Sequence, residues 1–522
     1  MTARAWIPAA GTAWGGLALL VVLGSPAAVY AQEGCELGPG SALLVTNPDG
    51  RGGSITYLST PHFECEGDVE IWADSAVAYS TDAMSILIGS VRYQDPSREL
   101  TAREARYFTD VGRLQAQGDV VVVDQQDGSR VENGDLVYLR ETDFRDQESM
   151  TFTTGADGIR PRAIIPPPPP EPDSVPEPDA PPADSLAASD TLAVEQEASP
   201  YTVVGNSLFF RGSDSFTATG DVEIERDSLF AYADSAEYLE ADESLVLVGS
   251  ARVVSSDYEL VGRTITMGTA TAGTSEIRAE REALLTGEDL TLTAPVIKLY
   301  LTDGAVERLV GVGLPPAGDE EVAARPTDAA PPGSTRPPRA AAAEPAAAAP
   351  DSAAPASAAP TRPVAVAERF ELTADSLELT APGDVVERIF AAGRARSVSQ
   401  ARDSLNVDLL PELARQDWLE GDTIVIDLEP ARRDSLAEPA TEPRDEREYE
   451  IETIVARVGA RSLYRLPPQD STAQAGVDLP AVHYVLGDEI TIHMSEGEVE
   501  AMQVEGQTRG VHLEPIRRAG AT

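Results

Sequence analysis

Apolar and polar residues alternate along most of this chain, in short runs separated by turn formers. In Leu87-Ile88-Gly89-Ser90-Val91-Arg92-Tyr93, one face carries Leu87, Val91 and Tyr93, while Ser90 and Arg92 point the other way. A second run places Leu245, Leu247, Ala251 and Val253 on one face and Ser250 and Arg252 opposite. Val69 and Ile71 alternate with Glu70, as Val222 and Ile224 do with Glu223. A period of two specifies strands with one dry and one wet face. Asp110-Val111-Gly112, Asp127-Gly128, Asn133-Gly134, Asp303-Gly304 and Glu496-Gly497 punctuate the runs as turns. Helical periodicity is scarce, so the fold class is all-β. Gly89 and Gly249 fall inside strands, where glycine marks a bend or bulge.

The runs repeat. Residues 67–71 and 220–224 both read Gly-Asp-Val-Glu-Ile, and each is followed by Ala-Asp-Ser-Ala, at 73–76 and at 233–236. Ile88-Gly-Ser-Val-Arg92 and Val248-Gly-Ser-Ala-Arg252 then match, as do Glu99-Leu100 and Glu259-Leu260. A fainter copy runs from Ala374-Asp-Ser376 to Ala392-Gly-Arg-Ala-Arg396, and Gly-Asp entries recur at Gly421-Asp422 and Gly487-Asp488. Repetition of short alternating segments predicts stacked β units.

Composition breaks this pattern twice. Residues 164–200 contain Pro166–Pro170 and then Pro, Glu, Asp, Ser and Ala; residues 314–366 are a Pro/Ala run. Neither has apolar residues to bury, so both are expected to be disordered linkers. The expected layout is a signal peptide at 1–31, β unit 1 at 32–163, β unit 2 at 201–313 and a diverged β unit 3 at 367–515. A shorter acidic stretch, 429–447, reads as a loop inside the last unit.

Charge narrows the list of partners. Lys+Arg number 40 against Asp+Glu 87, a net charge of -47, and Lys298 is the only lysine. Phosphate backbones are bound by cationic neutralisation, so nucleic acid is not expected as a partner. Arg4, the apolar run Gly16–Gly24 and the small residues before Gln32 read as an export signal. That places the protein outside the cytoplasm, in a periplasm, with a signal anchor in the inner membrane or association with the outer membrane left open. In such an oxidising compartment Cys35 and Cys65, the only cysteines, are candidates for a structural disulfide.

Gly67–Gly118 carries a further ordered set: Gly-Asp-Val, Ala-Asp-Ser-Ala, Gly89-x-Val-Arg-Tyr, Glu99-Leu-Thr-Ala, Arg106-Tyr-Phe, then Gly112-Arg-Leu-x-Ala-x-Gly-Asp-Val-Val. In order and spacing this resembles the OstA-like family, which includes LptA and the N-terminal domain of LptD, proteins of lipopolysaccharide transport. The second unit fits through Leu260, and the third fits in fragments. The resemblance implies repeated β-jellyroll (β-taco) units with an apolar interior that shelters acyl chains. It implies lipopolysaccharide or another envelope lipid as ligand, and edge-strand pairing with other β-jellyroll envelope proteins. On that reading the groove is lined by Val69, Ile71, Leu87, Val91 and Tyr93, and by Val222, Ile224, Leu245, Leu247 and Val253. Lipid phosphates would then need arginines such as Arg92, Arg103 and Arg106, or divalent cations, to offset the acidity. The competing reading is an exported scaffold of closed β units with no ligand.

No catalytic constellation emerges. His62, His483, His493 and His512 are scattered, and His62-x-x-Cys65 is half a zinc signature at best. The Asp-Ser pairs recur without histidine and read as turn formers. No enzyme activity, metal or cofactor is therefore expected.

Overall fold

The computed structural model describes Tyr30–Gln32 and residues 35–166, 199–314 and 361–515, with breaks at 213–214, 240–243, 272–273, 289, 303, 368–369, 383–384, 400–405, 431–448, 467–478 and 496–497. The export signal and most of the two Pro-rich segments lie outside the described residues. Strands make up most of what is described, and no α-helix is among it. The all-β class follows from the alternation read in the sequence. Contacts divide the chain into one unit ending at Ala116 and another beginning at Gln117.

In both units the long strands belong to two ladders at once. Within the first unit, Met84–Gln94 pairs along its first half with Ser75–Tyr79 and along its second half with Val69–Trp72. Its register breaks between Ile88 and Val91, where Gly89 (φ 77°) and Ser90 (φ 44°) adopt left-handed backbone in tandem. Ser215–Arg226, Ser244–Val254 and Arg388–Ser399 break at Gly220-Asp221, Gly249-Ser250 and Gly393-Arg394, again with paired positive φ. Left-handed backbone is nearly free for glycine and tolerable for Asp. That is the physical content of Gly89-Ser90, Gly220-Asp221, Gly249-Ser250 and Gly393-Arg394: each marks the point where a strand leaves one ladder for the other.

The Ala-Asp-Ser phrase supplies the other half of each bend. The Asp74 amide donates to the Gly89 carbonyl (2.8 Å), and Ser90 Oγ donates to Asp74 Oδ2 (3.2 Å). A side chain on Gly89 would run into the Asp74 carboxylate; Gly249 stands in the same relation to Asp234, and Gly393 to Asp375. These aspartates, read from the sequence as turn formers, lie over the glycine of the neighbouring strand. At the third bend, Asp375 Oδ1 also accepts from Arg394 Nη2 (2.8 Å) and Arg362 Nε (2.9 Å). Hydrogen bonding from Arg394, then the two nearby guanidinium charges, hold its carboxyl below the ordinary value of 3.8 despite some burial.

The two Gly-Asp-Val-Glu-Ile copies are not equivalent. Gly67-Asp68 lies in the hairpin between His62–Cys65 and Val69–Trp72, whereas Gly220-Asp221 forms a mid-strand bend. The Ala-Asp-Ser and Gly-Ser copies do occupy matching places.

In the second unit, pairing continues across both Pro-rich segments instead of stopping at them. Arg162–Ile165 pairs with Tyr201–Val204, and Ser149–Thr153 with Ser207–Arg211. Around the second segment six strands pair in a closed cycle: Leu290–Thr302, Ala305–Val312, Ser376–Thr380, Arg388–Ser399, Phe370–Thr373, Val364–Ala367 and back. Strand pairing thus spans both composition shifts. Loop closure costs only about 0.6 kcal/mol per doubling of length, so long insertions there are tolerated.

Candidate functional site

The candidate surface is the pair of inward faces that the bends bring together. In the second unit, one column of the first ladder runs in register through Leu136, Phe152, Leu208, Ala218, Ala236, Leu247, Ile265, Ala279 and Ile297, and on to Ile490 and Val504. Beside it, farther from the bend, runs a lip column of Tyr138, Met150, Phe210, Phe216, Tyr238, Leu245, Met267, Ile277 and Leu299. That column continues through Leu309, Leu379, Ile389, Ile426, Ile454 and Ile492 to Met502. Every position is apolar or aromatic. At about 4.8 Å per strand the two columns extend about 70 Å.

The second ladder faces them with Val122, Val131, Ala163, Val203, Ile224, Ala231, Val253, Leu260, Leu285, Leu292, Ala365 and Leu372. The walls touch: a Cβ on Gly311 of the first ladder would meet Leu292 of the second at 3.3 Å.

All ten residues singled out as groove candidates lie on these inward faces. Val69, Ile71, Leu87, Val91, Tyr93, Val222, Ile224, Leu247 and Val253 are at most 6% exposed, and only Leu245 is half-buried. The faces are therefore packed against each other where those nine sit. The accessible stretch is the lip column at Phe210, Tyr238, Leu245 and Met267, all half-buried, with Phe216 9% exposed among them. Phe210, Phe216 and Tyr238 form a run of ring contacts 5.8–6.1 Å apart. Of these lip residues the sequence pattern singles out only Leu245. Ser207–Arg211 and Tyr258–Thr271 alternate as well, but their partners depend on register.

The first unit closes differently. Tyr93 and Tyr107 rings stand 6.4 Å apart across the two ladders. Tyr93 Oη donates to Asp95 Oδ2 (3.0 Å), and Asp95 Oδ1 accepts from the Ser97 and Arg98 amides. Asp95 and Arg98 are buried. Cys35 and Cys65, register partners on adjacent strands, are joined by a disulfide. Closing a loop of about 30 residues in this way contributes roughly 3–4 kcal/mol.

Arginine is spent on the outward faces, in ion pairs such as Arg92–Glu99 (2.8 Å), Arg252–Glu259 (2.7 Å) and Arg457–Glu489 (2.9 Å). Arg92 thus faces away from the inner surface, as does Arg106, which alternates with inward Ala105 and Tyr107. An outward hollow of about 480 Å³, lined by Phe390, Val425 and Val455 between Arg388 and Asp427, lies on the opposite face from Ile389 and Ile426.

The histidines separate. His62 stacks on Trp72 (4.9 Å) and meets Glu70 (3.0 Å). His493 alternates with inward Ile492 and faces outward. His483 meets His512, with ring centroids 4.0 Å apart, a pairing the sequence did not suggest. Among the described residues no group of three or more His, Cys, Asp or Glu could hold a metal ion. Neither a family model nor a curated protein matches this chain.

Proposed function

We propose that the protein is a non-enzymatic lipid carrier of a periplasm, with acyl chains held between the two inward walls and lipopolysaccharide as the leading candidate cargo. The observation that carries this reading is the pair of unbroken apolar columns in the second unit, with a half-buried lip at Phe210–Met267. Two ladders joined through mid-strand bends make a repeated β-taco, which can part along the side away from the bends. Each methylene buried there gains about 0.8 kcal/mol, so roughly twelve of them gain about 10 kcal/mol against the cost of parting the walls. The resemblance of Gly67–Gly118 to OstA-like proteins supports the same cargo class.

Partner jellyrolls would add to the terminal strands. Ala42–Pro48 pairs with Ser54–Ser59 and exposes Leu43, Leu44 and Val45; Glu498–Glu505 pairs with Ala481–Ser495 and exposes Val499. Strands with a free edge are templates for pairing.

A photo-crosslinking residue at Leu245 or Met267 of the exported protein is expected to capture lipid A, and one at Val246 or Thr266, on the opposite face, is not. Equal labelling at the four positions, or none at any, would overturn the proposal. A closed scaffold without ligand is the second reading, favoured by the near-complete burial of nine groove candidates.

A further inference from the structure

The two inward walls stop resembling each other toward the C-terminal strands. The first ladder stays apolar through Ile424, Ile426, Ile454, Ala456, Ile490 and Ile492. The second ladder, apolar as far as Leu372, continues in register as Ser397, Leu419, Ser462, Val485 and Gly510. Ser397 is 8% exposed and Ser462 3%. Farther from the bend on the same face, Tyr464, His483 and His512 stand in one cross-strand row. Tyr464 and His483 stack at 4.8 Å, and His512 Nε2 lies 3.1 Å from Glu514 Oε1. The outward face of these strands is occupied separately by Trp418, Leu463 and Val482 packed on Ala414. Ser462, Tyr464, His483 and His512 therefore lie on the face of these strand segments opposite that cluster.

Polar groups turned inward in a sheet cost free energy unless a partner satisfies them. Here Ser397 and Ser462 are buried on the wall opposite the apolar one, Tyr464 and His483 are half-buried, and His512 is exposed at the end of the row. The site therefore suits a molecule with a greasy part inside and a hydrogen-bonding part toward solvent. We infer that this end of the inner surface is a head-group subsite for the sugar-like, hydroxyl-bearing part of an amphiphile's head, with Ser462, Tyr464, His483 and His512 bonding its hydroxyls and not its phosphates. The inference rests on the lipid-carrier reading and adds which part of the cargo is recognised, and where.

The surroundings of the row favour hydroxyls over a phosphate. Burial, then the neighbouring His512, push His483 below the ordinary imidazole range, with Glu514 opposing; burial pushes Tyr464 above the ordinary phenol range. Arg461 and Arg465, on the strand that carries Tyr464, point outward to Glu420 and Asp417. A phosphate would meet Glu514 beside His512 and no guanidinium on this row.

The test uses the full chain and three probes of one alkyl length, each below its micelle concentration: an alkyl glucoside, an alkyl phosphate and the plain alcohol. The glucoside is expected to bind about tenfold more tightly than the other two, the worth of one or two neutral hydrogen bonds. His483→Leu with His512→Leu is expected to erase that preference while leaving alcohol binding unchanged. The double variant His483→Gln/His512→Gln, which keeps hydrogen-bonding side chains, is expected to retain most of it. With only four histidines, ring NMR signals report directly: the glucoside should move those of His483 and His512 and leave His62 and His493 in place. Equal binding of all three probes, tighter binding of the phosphate, or a preference that survives the Leu variant overturns the subsite and leaves the carrier reading standing. Binding of none of them overturns both.

Discussion

The repeat makes Ser85 of the first unit and Leu245 of the second counterparts, each four residues ahead of its bend glycine, and likewise Tyr93 and Val253, each four residues after it. Ser85 is 2% exposed and its register partner is Tyr107, whose ring approaches Tyr93 across the opening. Leu245 is half-buried between Tyr238 and Met267, and Val253 has no ring to reach across. The same bend thus supports two lips: one closed by rings, with the Tyr93 ring tethered to buried Asp95 on its own wall, and one apolar and partly open. A repeated backbone device does not dictate a repeated function. The side chains four residues to either side of the bend glycine decide how closely the walls meet.

The largest effect that tests this contrast comes from charge in the closed columns. Leu247→Asp, at a fully buried position, should destabilise the second unit by at least about 4 kcal/mol in urea unfolding, and Leu87→Asp the first by a similar amount. Leu245→Asp, on the half-open lip, should cost about 1 kcal/mol while abolishing lipid capture. Equal losses at 245 and 247 would mean that the second lip is as closed as the first, and the scaffold reading would prevail.

Next in size are the bends, which the two units share. Gly89→Ala and Gly249→Ala each force a side chain into left-handed backbone and against an aspartate, and should cost about 1–3 kcal/mol each by thermal denaturation. A neutral result at either would show that the bends are not equivalent.

Tyr93→Phe removes the hydroxyl donated to buried Asp95 and should cost about 1–2 kcal/mol. If the first lip is held shut by this bond, the variant should also gain lipid labelling at Tyr107. No gain would assign closure to the rings alone.

The smallest effect concerns the third bend. Asp375 has a folded-state pKa below its unfolded value, so its contribution is present above the unfolded value near 3.8 and is lost as pH falls through the folded one. Arg394→Gln should shrink the acid-induced loss of stability below about pH 4, and only slightly, because solvent screens this pair. An unchanged acid limb would remove Arg394 from the bend.

Much of the architecture was legible in the residues. Alternation in Leu87–Tyr93 and Leu245–Val253 announced strands, and Gly89 and Gly249 announced bends, because side-chain direction and backbone handedness are local properties. The inward placement of all ten groove candidates follows from the same parity. What the chain hid was partnership. The placing of Asp74 over Gly89, the two roles of Gly-Asp-Val-Glu-Ile, and the meeting of His483 with His512 all depend on register between strands. The pairing of strands across the Pro-rich segments was hidden for a related reason: composition reports that these segments cannot bury themselves, and says nothing about whether the strands on either side find each other.

By itself, then, the sequence determined the strand class, the wet and dry faces and the positions where the backbone must turn left-handed, since each is settled within a few neighbouring residues. Only the tertiary structure decided which strands pair across the long insertions, which lip is latched and which inner wall turns polar. Those depend on contacts between residues far apart in the chain, where one step of register exchanges every inward side chain for an outward one.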